Sequence, residues 1–179
     1  GGKLGTTWRF KRADIEAWVS RRLGAQQAAA VSQGAGVLSN LLSPDRVVFL
    51  DGGTKKSALK TLCAVTATSS LVPNEKKLMK AIFDREDMMS TGIGFGVGVP
   101  HVRLEGINDL VLSLGISKKP LKSYTSLDDV PVQIVCMVAA GRTQHPKYIR
   151  TLAVLSSRLK DEAVRSALIE ATNTQEAYD

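Results

Sequence analysis

Residues 90–102 read STGIGFGVGVPHV, and glycine occupies every second position of this run from Gly92 to Gly98. An extended strand also repeats every two residues, so the glycines would share one face of a strand. The residues between them predict a buried opposite face: Ile93, Phe95, Val97 and Val99. Because glycine inside a strand adds no packing, its face predicts the close approach of another group. The run therefore predicts a strand packed on one side and open on the other, ending in the imidazole of His101.

The glycine run does not match the motifs of the P-loop or of dinucleotide-binding sites. A P-loop needs a lysine followed by serine or threonine, and a dinucleotide fingerprint must open a helix, whereas this run ends in Pro100-His101. Two interpretations remain from the residues alone. In the first, the bare face admits a partner protein or a phosphate group to His101. In the second, the glycines only relieve crowding at a twisted sheet edge and His101 is an ordinary surface residue.

The rest of the chain alternates between strand and helix patterns. Apolar or alternating runs predict strands at 46–50, 109–117 and 132–140, the second half-buried and the third central in a sheet. Apolar residues at helical spacing predict helices that start near Thr54, at Pro73-Asn74 and at His145-Pro146, and a last helix from Asp161 to Ala171. Such intermixing is typical of an α/β fold. We predict a layered domain with a mixed β-sheet flanked by helices, plus a short N-terminal hairpin-helix remnant.

Composition narrows the possible functions. The chain has 179 residues, of which 44% are hydrophobic, enough for one domain with a core and a small appendage. Its two cysteines, Cys63 and Cys136, lie far apart in apolar runs and predict core residues rather than a zinc site or a disulfide. We predict no metal and no cofactor. No stretch is long and apolar enough to span a bilayer, no signal peptide is evident, and the cytoplasm is the expected compartment.

Basic charge is concentrated at the N-terminus. The net charge is +7, and residues 1–24 hold six basic residues against two acidic ones. Such an excess in a short segment is a pointer to nucleic acid. Turn residues at 5–7 predict a hairpin, Asp14 can cap an amphipathic helix, and the small polar residues 25–36 predict a linker before a domain at 37–179.

The stretch WRFKRADIEAW at 8–18 resembles the end of an excisionase-type helix-turn-helix domain, namely its wing hairpin and last helix. The resemblance covers residues 1–24 only, and the helix-turn-helix that would read bases is not in this sequence. It implies contacts to DNA phosphates rather than to base edges, and DNA recognition only through a full-length N-terminal domain. The expected DNA-contacting residues are Lys3, Arg9, Lys11 and Arg12.

The stretch DREDMMSTGIGFGVGVPHVRL at 84–104 resembles the active-site signature of enzyme IIA domains of the bacterial phosphotransferase system, of the fructose/mannitol and nitrogen-regulatory type. The resemblance extends over roughly residues 36–179. It implies that His101 accepts a phosphoryl group from a histidine phosphocarrier protein and that Arg85 stabilises the transferred charge. It also implies a phosphate pocket that includes Ser90, Thr91, Gly92 and Gly94. From the residues alone, Arg103 is predicted to be an ordinary surface arginine.

One position departs from this family. Members commonly carry a second histidine at the start of the helix that follows the central strand, and the leucine spacing of YIRTLAVLSSRL places Tyr148 there. His145 lies one helical turn earlier. We expect a side chain from this helix start to line the His101 pocket, with His145 closer to the imidazole than Tyr148.

Two functions follow from these resemblances. A regulatory IIA domain would be fused to a DNA-binding module and would control transcription, and the excisionase-like segment favours it. A sugar-transport IIA domain would instead pass the phosphoryl group to the IIB domain of a permease. A third alternative is an interaction domain that is not phosphorylated.

Overall fold

A computed structural model describes residues 38–179 and the backbone of residues 2–4 and 7–9. At the N-terminus, β1 (Gly2–Leu4) and β2 (Thr7–Arg9) pair as an antiparallel hairpin in which Lys3 lies opposite Trp8. This pairing confirms the predicted hairpin. The helix predicted from Asp14, the linker at 25–36 and the predicted boundary at residue 37 lie outside the described residues, as do Lys11 and Arg12.

A six-stranded mixed sheet carries the domain. Its strands are β3 (Val47–Leu50), β4 (Gly92–Gly94), β5 (Val97–Gly98), β6 (His101–Leu104), β7 (Val111–Ser117) and β8 (Ile134–Gly141). The order is β3-β7-β8-β5-β4, and β6 also pairs with β8. The pairs β3–β7, β5–β8 and β6–β8 are parallel, whereas β4–β5 and β7–β8 are antiparallel. The predicted mixed sheet flanked by helices is therefore confirmed.

Five helices of the described part cover the sheet: α1 (Lys55–Thr66), α2 (Glu75–Met88), α3 (His145–Leu159), α4 (Glu162–Glu170) and α5 (Thr174–Tyr178). The first four begin where the sequence predicts. The Thr54 hydroxyl accepts from the Ser57 amide in a reciprocal capping box, and the Asn74 side chain accepts from the Lys77 amide. These bonds satisfy amide donors that would otherwise have no partner in the first helical turn.

The core divides into two clusters, one on each side of the sheet. One includes Leu112, Leu114 and Val138 and packs against Tyr148 and Leu155 of α3. The other packs Val111 of β7 and alternate residues of β8 against the apolar faces of α1 and α2. Cys136 lies in the first cluster and Cys63 in the second, both buried and free, which confirms them as core residues. Burial raises the pKa of each thiol to about 12.

Strand β7 differs from its prediction as a half-buried strand, because all seven of its residues are buried. Helix α1 packs on one of its faces and α4 on the other. The polar Ser113 is accommodated because its hydroxyl lies 2.6 Å from Thr66 Oγ1 of α1.

The glycine run is not the single strand that was predicted. Strands β4 and β5 form a hairpin whose turn residues, Phe95 and Gly96, have φ angles of 57° and 73°. Two successive positive φ angles belong to the turn that best fits the twist of a two-residue hairpin. The turn lifts Phe95 out of the sheet, so its side chain is 45% exposed instead of buried.

The glycine face is not open either, because residues 124–131 of the same chain cover it. A β-carbon at Gly92 would overlap the carbonyl oxygen of Thr125, and one at Gly98 would overlap the hydroxyl of Tyr124. The Thr125 atom is backbone and cannot rotate away, so any larger residue at Gly92 would force the loop off the strand. The group whose close approach the glycines predict is therefore this loop, and not a partner protein.

No helix within residues 38–179 is long and apolar enough to cross a membrane.

Candidate functional site

His101 is the first residue of β6, and its backbone pairs with Val138 of the fully buried strand β8. Its ring nitrogen Nδ1 lies 2.7 Å from the Val99 carbonyl oxygen. A carbonyl oxygen can only accept, so we assign the hydrogen to Nδ1. Nε2 is then left with its lone pair and is the nucleophilic atom of the ring.

The surroundings of His101 favour the neutral ring. Burial lowers the pKa of His101, and the positive charge of Arg85 lowers it further. The hydrogen bond to Val99 and the carboxylate of Glu86 act in the opposite direction without reversing the shift. An imidazole whose pKa lies below its usual value near 6.5 is mostly neutral at pH 7, so Nε2 can act as a nucleophile without a separate base.

His101 opens into a solvent-accessible cavity of about 680 Å³. Three guanidinium groups line it: Arg85 from α2, Arg103 from β6 and Arg142 immediately after β8. The other lining residues are Ala81, Asp84, Met88, Val102 and Tyr148. Three arginines against one aspartate make the cavity electropositive beside a neutral nucleophile. Such a site can bind a phosphoryl group and stabilise the charge on its oxygens.

Arg85 sits in the last turn of α2, where its Nη1 donates to the Met89 carbonyl oxygen at 3.0 Å. This bond ties the guanidinium to the segment that links α2 to β4. Its charge affects the pKa of both His101 and Tyr148. The structure thus brings two of the sequence-predicted residues, His101 and Arg85, to one cavity.

Of the predicted phosphate-pocket residues, Tyr148 lines this cavity, whereas Ser90, Thr91, Gly92 and Gly94 are not among its lining residues. Ser90 and Thr91 donate their hydroxyls to the Glu86 carboxylate at 3.0 and 2.6 Å, and the Thr91 amide donates to it at 3.0 Å. Gly92 and Gly94 pack against the covering loop. These groups are therefore engaged within the protein.

Glu86 is the buried anchor of the site, with only 3% of its surface exposed. Besides the Ser90 and Thr91 donors, Lys55 Nζ lies 3.5 Å from its Oε1. The carboxylate thus joins the end of α2 to the start of β4 and to the start of α1. The sequence analysis gave Glu86 no role, although an acid followed closely by two hydroxyl residues was a visible signal.

Helix α3 contributes Tyr148 to the cavity. The rings of Tyr148 and His101 are 6.1 Å apart between centroids and tilted by 60°. Burial raises the pKa of Tyr148, and the charges of Arg103 and Arg85 only partly oppose this, so the phenol keeps its proton at neutral pH. His145, which we expected to be closer to His101, is exposed and does not line the cavity. It bonds instead to Arg103, with 3.0 Å between its Nδ1 and the arginine Nη1.

Arg103 is exposed, as the sequence predicts, but it also lines the cavity. Its guanidinium carbon lies 5.6 Å from the centroid of the Tyr148 ring. Because Arg103 follows His101 by two residues in a strand, both side chains lie on one face.

No cluster of three or more histidine, cysteine, aspartate or glutamate residues that could hold a metal ion occurs within residues 38–179. Of the expected DNA-contacting residues, Lys3 lies in β1 and Arg9 in β2.

The sequence resembles a known protein family and individual members of it. The family described as "Phosphoenolpyruvate-dependent sugar phosphotransferase system, EIIA 2" matches residues 40–179. The chain is 26% identical over 126 residues to the "PTS system fructose-specific EIIA component" of Haloferax volcanii, covering 70% of this chain and 81% of that protein. It is 28% identical over 130 residues to the "PTS system fructose-specific EIIABC component" of Bacillus subtilis, covering 73% of this chain but only 20% of that longer protein.

Solved structures share the fold. Nitrogen regulatory protein IIA-Ntr from Neisseria meningitidis superposes with a TM-score of 0.72 at 21% identity, covering 79% of this chain and 97% of that one. The mannitol enzyme IIA of Escherichia coli, solved in complex with phosphorylated enzyme IIB, gives a TM-score of 0.63 at 21% identity, covering 75% of this chain and 92% of that one.

Proposed function

Since the chain belongs to the EIIA 2 family of the phosphoenolpyruvate-dependent sugar phosphotransferase system, we propose that it accepts a phosphoryl group on Nε2 of His101. The donor is a phosphohistidine on a small phosphocarrier protein. The observation that carries this proposal is the position of His101, whose Nδ1 lies 2.7 Å from the Val99 carbonyl oxygen and which lines one cavity together with three arginines.

The chemistry needs little more than positioning. The Nε2 lone pair attacks phosphorus as the donor's N–P bond breaks and its electron pair returns to the donor ring. Charge on the three equatorial oxygens of the transition state is stabilised by the guanidinium groups. As Nε2 bonds to phosphorus, positive charge develops on the His101 ring, and the Val99 carbonyl that accepts from Nδ1 stabilises that charge.

The direct test is the intact mass of the protein after incubation with phosphoenolpyruvate, enzyme I and a phosphocarrier protein. We expect the mass of one added phosphoryl group, lost again on mild acid treatment as an N-phosphorylated histidine requires. No change in mass would overturn the proposal.

Arg85→Gln should slow phosphoryl uptake by roughly 10- to 100-fold. A hydrogen bond to a charged group contributes about 1.5–3 kcal/mol, and about 1.4 kcal/mol corresponds to a factor of ten in rate. The measurement is the initial rate of mass change at limiting phosphocarrier. Lys76→Gln, an exposed residue of the same helix that loses the same charge, should transfer at the wild-type rate. Equal rates for Arg85→Gln and wild type would show that Arg85 does not contribute to phosphoryl uptake.

We further propose that the domain is regulatory and acts with a DNA-binding module to control transcription. The basic excess in residues 1–24 and the hairpin of β1 and β2 support this. The alternative is transfer to the IIB domain of a sugar permease, since the mannitol enzyme IIA of Escherichia coli forms a complex with phosphorylated enzyme IIB. Loss of the phosphoryl group to a purified IIB domain would favour transport.

These 179 residues should bind DNA weakly and without sequence preference. The four cations Lys3, Arg9, Lys11 and Arg12 can neutralise phosphates, and the logarithm of affinity should then fall with the logarithm of salt concentration with a slope no steeper than about −4. Fluorescence anisotropy with two unrelated duplexes over a salt series measures both properties. Tight, sequence-selective binding would contradict the view that residues 1–24 contact phosphates only.

A further inference from the structure

The Arg103 side chain lines the cavity and is held in position by two neighbouring side chains. It still has N–H donors available for a ligand. It lies two residues after His101 in β6, so both side chains project from the same face and their Cα atoms are roughly 6.6 Å apart. A guanidinium carries five N–H donors. Among residues 38–179, the Arg103 side chain makes one hydrogen bond, to His145. No carboxylate of these residues lies within 4.0 Å of its guanidinium nitrogens.

The bond between Arg103 and His145 has only one possible direction. Arginine can only donate, so the Nδ1 of His145, 3.0 Å from Nη1, must be the acceptor. The imidazole of His145 therefore accepts through the lone pair of Nδ1 in this bond, with its hydrogen on Nε2. A neutral acceptor holds the guanidinium without cancelling its charge, as a carboxylate would.

Tyr148 fixes the same guanidinium from a second direction. Its ring is buried, with 7% of its surface exposed, and the guanidinium carbon of Arg103 lies 5.6 Å from the ring centroid. Cations over aromatic faces are attracted by the ring, and arginine stacks in this way more often than lysine. Two contacts, both from the first turn of α3, thus set where the charge of Arg103 lies.

We propose that Arg103 binds the oxygens of the phosphoryl group on His101 and that His145 is a positioning residue that acts through Arg103. The inference rests on the proposed function, which supplies the phosphoryl group. Arg103 forms no covalent bond in the transfer. It donates hydrogen bonds to the phosphoryl oxygens as they pass from the donor ring to Nε2 of His101.

The test is a double-mutant cycle on the rate of phosphoryl uptake from the phosphocarrier. Arg103→Gln should slow uptake by roughly 10- to 100-fold, the effect of losing a charged hydrogen bond. Arg103→Lys should recover part of this rate, and His145→Ala should slow uptake by roughly 3- to 10-fold. Because His145 acts through Arg103, the double variant should be no slower than Arg103→Gln alone. Lys60→Gln, an exposed residue of α1, is the charge-matched control and should keep the wild-type rate.

A second readout separates binding from transfer. Inorganic phosphate titrated into the unphosphorylated protein, followed by the NMR resonances of the His101 ring, should bind more weakly to Arg103→Gln and His145→Ala than to the Lys60→Gln control. A merely structural role for His145 would lower thermal stability without this selective loss.

The outcomes distinguish a failure of the proposed function from a failure of the role of Arg103. If the wild type gains no mass, the proposed function fails, and the phosphate titration still decides whether Arg103 binds an anion beside His101. If the wild type is phosphorylated but Arg103→Gln matches it in rate and in phosphate affinity, only the role of Arg103 is overturned. Additive effects in the double variant would refute the action of His145 through Arg103.

Discussion

The variant His101→Ala is expected to gain no phosphoryl group under conditions in which the wild type is fully phosphorylated. The substitution removes the only imidazole among the residues that line the cavity, and neither the arginines nor Tyr148 can form the N–P bond in its place. The effect is a complete loss rather than a slower rate. Intact mass measured at the end of a long incubation is the appropriate reading, because it does not depend on kinetics.

The sequence has only two histidines, which makes a sharp control possible. His145→Ala should reach the same final mass as the wild type, although more slowly, because the phosphoryl group is carried by His101. The thermal unfolding of His101→Ala should also resemble that of the wild type, since the ring is half-buried and makes one side-chain hydrogen bond, to the carbonyl of Val99 two residues earlier. A full mass shift in His101→Ala would place the acceptor elsewhere.

Glu86→Ala should produce the largest loss of stability, about 3–5 kcal/mol in the free energy of unfolding. Removing one partner of a buried charged network costs this much because the remaining groups stay buried without partners. Here the Thr91 amide and hydroxyl would lose their acceptor, and Lys55 would lose its counter-ion. Urea unfolding followed by circular dichroism measures the change. An unaltered slope of the free energy of unfolding against urea concentration would indicate that stability has changed without a change in the surface exposed on unfolding.

Two variants control for this prediction. Asp87→Ala removes an exposed acid from the next position of α2 and should change stability by less than about 0.5 kcal/mol. Glu86→Gln keeps one acceptor oxygen but loses the charge, so its stability should lie between those of Glu86→Ala and the wild type. If Glu86→Ala were as stable as Asp87→Ala, the carboxylate would not anchor the site.

The sequence predicts the layers of the fold well because burial follows local periodicity. The apolar stripes of α1 and α2 and the apolar run of β8 each lie within a few turns or residues, and their burial needs no knowledge of distant partners. Local periodicity did not predict the hairpin at Phe95. Phenylalanine is rare at positive φ, and a Phe-Gly pair is not among the usual turn signals. Its conformation is fixed from afar by Asp128, whose carboxylate accepts from the Phe95 amide at 2.7 Å.

The candidate site was predictable only where a short motif carries it. His101 and Arg85 follow from the resemblance of residues 84–104 to a known signature. The bond between Arg103 and His145 joins residues 42 positions apart, and the covering of Gly92 by Thr125 joins strand β4 to a loop that is distant in sequence. The periodicity of apolar residues describes one segment at a time, so it cannot predict contacts between segments.

The pairing of β6 with β8 also fixes when the site can exist during synthesis. His101 leaves the ribosome before the loop at 124–131 and before β8, which begins at Ile134. At translation rates of about 5–20 residues per second, the strand that carries the nucleophile waits on the order of seconds for its neighbours. During that interval neither the backbone pairing of β6 with β8 nor the side chains of α3 are available. A nascent or truncated chain that ends before α3 would therefore carry the motif yet offer its phosphocarrier no assembled acceptor, so phosphorylation would report the completion of the domain as well as the supply of phosphoryl groups.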